Sequence, residues 1–379
     1  MPSSTSNTTD LGIDDREAYL TLALTPGVGP ERLASLLAAC GSPGGALVAP
    51  FAFLCTIPGI SRACATAVRT TRRDTGGHLL RAVDRLGGRI LVPFDPEFPK
   101  LLLGIPSPPP FLVAVGRLEL LDAPAVAVVG SREHTRYGAE VCRRVALTAA
   151  LAGVVVVSGM ARGLDAVAHR AALEAGGGTI GVLGAGIDVV YPKANSGLYQ
   201  AMRRDGLLLT EFLPGDRPTA GSFPRRNRLI SGLARVTVVV EASVTSGALL
   251  TAGSALAQGR DVLVVPGPIT SATAGGANRL LRDGAAPLID PADLLTFYPE
   301  ARPVAPTAAG PGGLQARVLA ILHEGGRHID DLCALLDLPP GRLLSLLGAM
   351  ELMGLVRQEP GLVFSAELLP PALRPPAGV

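Results

Sequence analysis

Six short apolar bursts, rich in β-branched residues, recur through the middle of the chain: Val126–Val129, Val154–Val157, Thr179–Leu183, Leu207–Thr210, Val236–Val240 and Val262–Val265. Such runs read as buried parallel strands. Helical patterns lie between several of them, and repeated strand–helix alternation gives a mainly parallel sheet with helices on both faces. Ligands of such sheets bind at the carboxyl ends of the strands, where the strand order reverses. The turns after the bursts are therefore where chemistry is expected.

The flanks differ from this α/β centre. Residues 1 to about 13 read as a flexible tail. Residues 14–86 have helical periodicity and contain two related phrases, Thr25-Pro26-Gly27-Val28-Gly29 and Ile57-Pro58-Gly59-Ile60-Ser61. The Pro-Gly-hydrophobe-Gly/Ser pattern resembles the hairpins of helix-hairpin-helix and SAM-like domains, which can hold a DNA phosphate. It also suits a plain interhelical turn that needs glycine for its φ angle. Arg69, Arg72 and Arg73 follow the second phrase and read as a basic edge or a solvated one. Residues 87–122, with Pro106, Pro108, Pro109 and Pro110 close together, read as an extended lead-in that excludes a long helix. Residues 301–313 form a Pro/Ala/Gly linker. From Leu314 onward, three helices and a hairpin near Arg357–Phe364 suit a winged helix.

Composition narrows the function classes. Hydrophobic residues make up 48% and charged residues 17%, enough for a large core. The formal net charge of +2 predicts no nucleic-acid partner by itself, so such a site has to be a local concentration of cations. Lys100 and Lys193 are the only lysines; all other basic residues save the histidines are arginines, which bind phosphate bidentately. Cys40, Cys55, Cys64, Cys142 and Cys333 are scattered and form no C-x-x-C pair, as expected of reduced cytoplasmic thiols. The N-terminus lacks the order of a signal peptide, and no apolar run reaches the roughly 18 residues of a membrane helix. No metal site and no cofactor is expected.

Four turns carry the candidate site. The first burst ends in Gly130-Ser131-Arg132, a strand-to-helix turn suited to an anion but not a G-x-G-x-x-G dinucleotide fingerprint. The second ends in Ser158-Gly159 and runs on to Arg162, Gly163 and Asp165, with His169 one helical turn later. Asp165 and His169 read as a hydrogen-bonded pair locking the loop, or as an acid/base or metal dyad that lacks a third ligand. The third leads through Gly184-Ala185-Gly186 to Tyr191-Pro192-Lys193, where Tyr191 can stack or pack. The fifth ends in Glu241, followed by Ser246-Gly247 and a helix. Between them lies Phe223-Pro224-Arg225-Arg226-Asn227-Arg228, the composition of a single-strand groove or of an arginine-rich helix start with internal ion pairs. Walker A, nucleophile-elbow and H-E-x-x-H motifs are missing.

These phrases, in this order, together with Thr251-Ala252 and Val265-Pro266-Gly267, resemble the DprA/Smf family. The resemblance implies an extended Rossmann-like domain (87–300) between a SAM-like domain (14–86) and a winged-helix domain (314–370). It implies a non-enzymatic protein that binds single-stranded DNA, dimerises through the Rossmann-like domain and loads RecA recombinase in natural transformation. It further implies help in displacing or tolerating single-strand-binding protein. Carried onto this chain, the DNA-binding residues are Gly130, Ser131, Arg132, Ser158, Gly159, Arg162, Lys193 and Arg225–Arg228. Gly163, Phe223, Ser246 and Gly247 are added from the turns themselves, and Asp165, His169 and Glu241 are assigned to loop support. One departure stands out: from residue 314 onward five arginines face seven acids, and the candidate third helix offers a single Arg. Packing or protein contact suits that helix better than groove reading. Two other functional classes compete with this reading. A nucleoside-monophosphate N-glycosidase wants a Pro-Gly-Gly-x-Gly-Thr loop, which Pro266-Gly267-Pro268 lacks. The other is a pure adaptor without nucleic-acid contact.

Overall fold

The computed structural model describes residues 13–301, 311–352 and 355–366. The expected N-terminal tail and most of the linker lie outside the described residues. A nine-stranded sheet forms the centre. Its strands are β1 (Arg89–Leu91), β2 (Leu112–Gly116), β3 (Ala125–Val129), β4 (Val155–Ser158), β5 (Thr179–Val182), β6 (Leu207–Thr210), β7 (Val236–Val239), β8 (Asp261–Val264) and β9 (Ala286–Pro287). Their order is β1-β2-β6-β5-β4-β3-β7-β8-β9. The six bursts are β3 to β8, all paired in parallel. The lead-in is more than a connector, because β2 pairs antiparallel with β6 and β1 pairs antiparallel with β2 at the sheet edge. The chain moves outward from β3 to β6, then returns to place β7 beside β3. The strand order therefore reverses between β3 and β7.

Alternation along β3 shows how the sheet is covered. Val126 and Val128 pack beneath α8 (Arg136–Leu151) and α9 (Leu164–Glu174). Ala127 and Val129 point the other way, toward α11 (Ser222–Gly232) and α12 (Gly247–Ala257). Between these elements run α10 (Ser196–Asp205) and, after β8, α13 (Gly275–Arg282).

The N-terminal region comprises α1 (Ile13–Ala23), α2 (Pro30–Cys40), α3 (Pro43–Val48), α4 (Phe51–Leu54), α5 (Arg62–Thr70) and α6 (Thr75–Asp84), with α7 (Lys100–Leu103) in the lead-in. Its apolar side does not close on itself. Leu20, Leu36, Leu54 and Val68 share one core with Val113, Met160, Leu198, Tyr199 and Met202 of the central domain. Arg16 pairs with Asp95 at 2.7 Å, and the Tyr19 hydroxyl donates to Pro110 O at 2.9 Å. A boundary at residue 86 thus cuts through a continuous core. Both Pro-Gly phrases are interhelical turns with left-handed glycines, Gly27 (φ 81°) and Gly59 (φ 82°). Arg32 donates to Gly27 O (2.7 Å) and Gly59 O (3.0 Å), tying the two turns together. Arg69 is spent on the carbonyls ending α3, and Arg72 on Asp74. Arg32 and Arg69 tie these turns and helices together, which supports the plain-turn alternative, while Arg72 and Arg73 are exposed.

The C-terminal winged helix consists of α14 (Pro311–His323), β10 (Arg327–His328), α15 (Ile329–Leu336), α16 (Pro340–Leu352), β11 (Val356–Glu359) and β12 (Val363–Ala366). Its strands order as β10-β12-β11. Leu322, Leu332, Leu347, Met350 and Phe364 form its core.

Candidate functional site

The turns after β3, β4, β5 and β7 meet at one edge of the sheet and enclose a two-lobed cleft at the β3/β7 reversal. The first lobe, about 280 Å³, is lined by Gly159, Arg162, Gly184, Tyr191, Tyr199, Pro218 and Phe223, among others. The second, about 440 Å³, is lined by Gly130, Ser131, Glu133, Asn227, Thr245, Ser246, Gly247 and Thr251, among others. Arg132, Ala161, Phe223 and Arg226 line both, so they mark the junction. Phe223 makes its floor: its ring lies 5.9 Å from that of Tyr191, and the Arg132 guanidinium sits over it at 5.2 Å. Among the described residues Arg132 has no carboxylate partner.

Two glycines let these loops approach so closely. A Cβ on Gly159 would run into the Arg226 guanidinium. Gly163 has φ 89°, and a Cβ there would strike the backbone of Ser131 and Arg132. Gly163 therefore serves the packing of two loops and does not line either lobe.

Several cations expected to face a ligand are used within the fold. Arg226 is 4% exposed. Its guanidinium donates to Gly159 O and, at 2.8 Å, to Val182 O. It lies close enough to the buried Asp165 for each charge to offset the other's desolvation. Burial still drives the Asp165 pKa above the ordinary carboxylate range and the Arg226 pKa below its usual value. Arg228 is bound to the buried Glu211, with Arg225 3.5 Å from the same carboxylate and over the Phe212 ring. Neither Arg225 nor Arg228 lines a lobe. Lys193 is exposed at the start of a short 3-10 turn, next to Pro192 on the rim of the first lobe.

The expectation that free helix N-termini would take the ligand needs correcting at two of the turns, where the chain's own carboxylates fill them. Glu241 Oε2 accepts from Thr135 N (2.9 Å) before α8, its other oxygen holds the Thr273 hydroxyl, and its carbonyl accepts from Ser131 N (2.7 Å). Asp165 accepts from Gly159 N (3.1 Å) and Ala161 N (3.3 Å) before α9. The N-terminus of α12, where Ser246 caps Ala248 N, opens on the second lobe. Ser158 is fully buried and donates to Val128 O at 2.7 Å, so it faces the core instead of a ligand. The Asp165–His169 pair does not form. His169 Nδ1 instead meets the Thr179 hydroxyl at 2.7 Å, and burial pushes its pKa down to about 3, leaving the ring neutral. Sequence reasoning passed over Glu133, Tyr199, Pro218, Glu211 and Thr273. Of these, Glu133 carried a visible signal, as an acid directly after the expected cation Arg132.

A sequence model of the DNA recombination-mediator protein A family matches residues 89–299. The chain belongs to that family. A model of the DprA winged helix domain matches residues 301–361, a range that overlaps the winged helix described from Pro311 onward. Protein Smf of Synechocystis is 35% identical over 314 residues, spanning 72% of this chain and 79% of that one. The solved DNA processing protein A of Streptococcus pneumoniae superposes with a TM-score of 0.64 at 32% identity, covering 74% of this chain and 95% of its own. A second structure, of DNA processing protein A from Helicobacter pylori, concerns that protein's single-stranded DNA binding mode. It gives a TM-score of 0.52 at 30% identity and covers 57% of this chain and 97% of its own. Among the described residues no helix is long and apolar enough to cross a membrane, and no group of three or more His, Cys, Asp or Glu could hold a metal.

Proposed function

We propose that this chain binds single-stranded DNA in the two-lobed cleft. The observation that carries this is the junction: a guanidinium, Arg132, stacked on a half-buried aromatic, Phe223, where two lobes meet. A single strand needs this pairing, a cation for its phosphate and a ring for its base, repeated along a groove. Arg132 and Arg162 hold phosphates, while Lys193 extends the cationic rim. Gly130, Ser131, Asn227, Ser246 and Gly247 line the path of the next nucleotide. Bases stack on Phe223 and Tyr191 with little sequence readout. Arg226, Asp165 and Glu241 hold the loops in place.

On the strand so held, the chain loads RecA recombinase and eases the removal of single-strand-binding protein, acting as a homodimer through the central domain and without a catalytic step. Two copies present two clefts and gain avidity on a long strand. Titrating the full chain with a labelled single strand and with a duplex of equal length tests the binding. Preference for the single strand is expected; equal or stronger duplex binding contradicts it. Adding RecA to a strand coated with single-strand-binding protein, with and without this chain, tests the loading.

A further inference from the structure

Two acids line the cleft, and they differ in kind. Asp165 is buried and committed to loop N–H groups. Glu133 is on the surface, with a side chain 86% exposed. Its backbone is nevertheless fixed, because the Ser131 hydroxyl donates to Glu133 O (2.6 Å) and accepts from Glu133 N (3.1 Å). Its carboxylate reaches across to Arg162 Nη2 at 3.1 Å. Glu133 lines the second lobe and Arg162 the first, so their ion pair bridges the mouth at the junction.

We propose that Glu133 is an intramolecular competitor for the strand: in the free protein its carboxylate occupies Arg162, and an incoming phosphate displaces it. The proposal rests on the single-strand reading above. An exposed pair of this kind is weak enough to be broken on binding. It is also screened by salt, so its hold on Arg162 is greatest where phosphate attraction is greatest. Glu133 thereby trims the affinity most at low salt and flattens the salt dependence of binding. Its exposed side chain has room to swing away, which the buried Asp165, Glu211 and Glu241 lack.

The test compares the full-length wild type, Glu133→Gln, Arg162→Ala and the double variant, titrated with labelled oligo-dT at several salt concentrations, with Arg132→Ala as control. Glu133→Gln is expected to bind roughly two- to fivefold tighter at low salt, the gain expected from releasing one exposed ion pair. The gain is expected to shrink as salt rises and to vanish when Arg162 is already alanine. If the gain persists in the double variant, Glu133 acts by general repulsion and the competitor role is overturned. If Glu133→Gln binds like wild type while Arg132→Ala binds weakly, the competitor role fails and the cleft stands. If Arg132→Ala also binds like wild type, the cleft assignment itself fails.

Discussion

Replacing Arg226 by alanine removes a buried strut. Arg226 sits in the middle of the arginine-rich motif, yet its guanidinium is committed to Gly159 O and Val182 O beside the buried Asp165. Alanine leaves two carbonyls without their donor, at about 1–3 kcal/mol for each unsatisfied group. It also leaves the Asp165 carboxylate without its countercharge. Removing one partner of a buried pair costs about 3–5 kcal/mol, and we expect a loss in that range for Arg226→Ala. The loss depends on pH. Burial already raises the Asp165 pKa, and Arg226 is the first influence opposing that rise. Without it, the folded-state pKa climbs further above the unfolded value of about 3.9. The folded state then binds the proton more tightly than the unfolded state does. The carboxylate's share of the deficit is therefore absent below about pH 3.9 and grows as pH rises through the folded-state pKa, while the cost of the two bare carbonyls persists at every pH. Urea denaturation of both proteins from pH 4 to 8 reads this directly. An Arg226→Ala protein that keeps wild-type stability at neutral pH, while losing DNA binding, refutes the strut and makes Arg226 a ligand contact.

Phe223→Ala should lower affinity for oligo-dT by about 1–3 kcal/mol, the worth of one base–aromatic stack, with an unchanged salt slope; fluorescence anisotropy at three salt concentrations checks both. Deleting residues 1–86 should yield an aggregating or unfolded protein by size-exclusion chromatography, because Met160, Leu198, Tyr199 and Met202 lose the other half of their core. A soluble, DNA-binding truncation contradicts the continuous core.

The parallel sheet was legible because buried strands announce themselves as β-branched bursts; β3 to β8 lie where the bursts lie. β9 was not, since it comprises Ala286 and Pro287 at an edge and lacks the pattern. β1 and β2 pair antiparallel beyond the alternating region, a tertiary choice invisible locally. The loops forming the cleft could be named from their small residues, but their partners could not. Ser131-Arg132 and Ser158-Gly159 look alike in sequence, yet Ser158 turns inward to Val128 O. Asp165 and His169 have the spacing of a helical pair, but the buried Thr179 hydroxyl claims the ring. The arginine cluster was visible as charge; that Glu211, far back in the chain, neutralises part of it is a fact of folding.

The decisive measurement is the salt dependence of single-strand binding for wild type and Arg132→Ala. Each phosphate neutralised on a single strand contributes about −0.7 to the slope of log K against log salt. Loss of Arg132 should flatten the slope by about 0.7 and weaken binding by at least about tenfold, as expected for one charge-assisted hydrogen bond. Identical slope and affinity in the two proteins would contradict a strand lying across the Arg132–Phe223 junction.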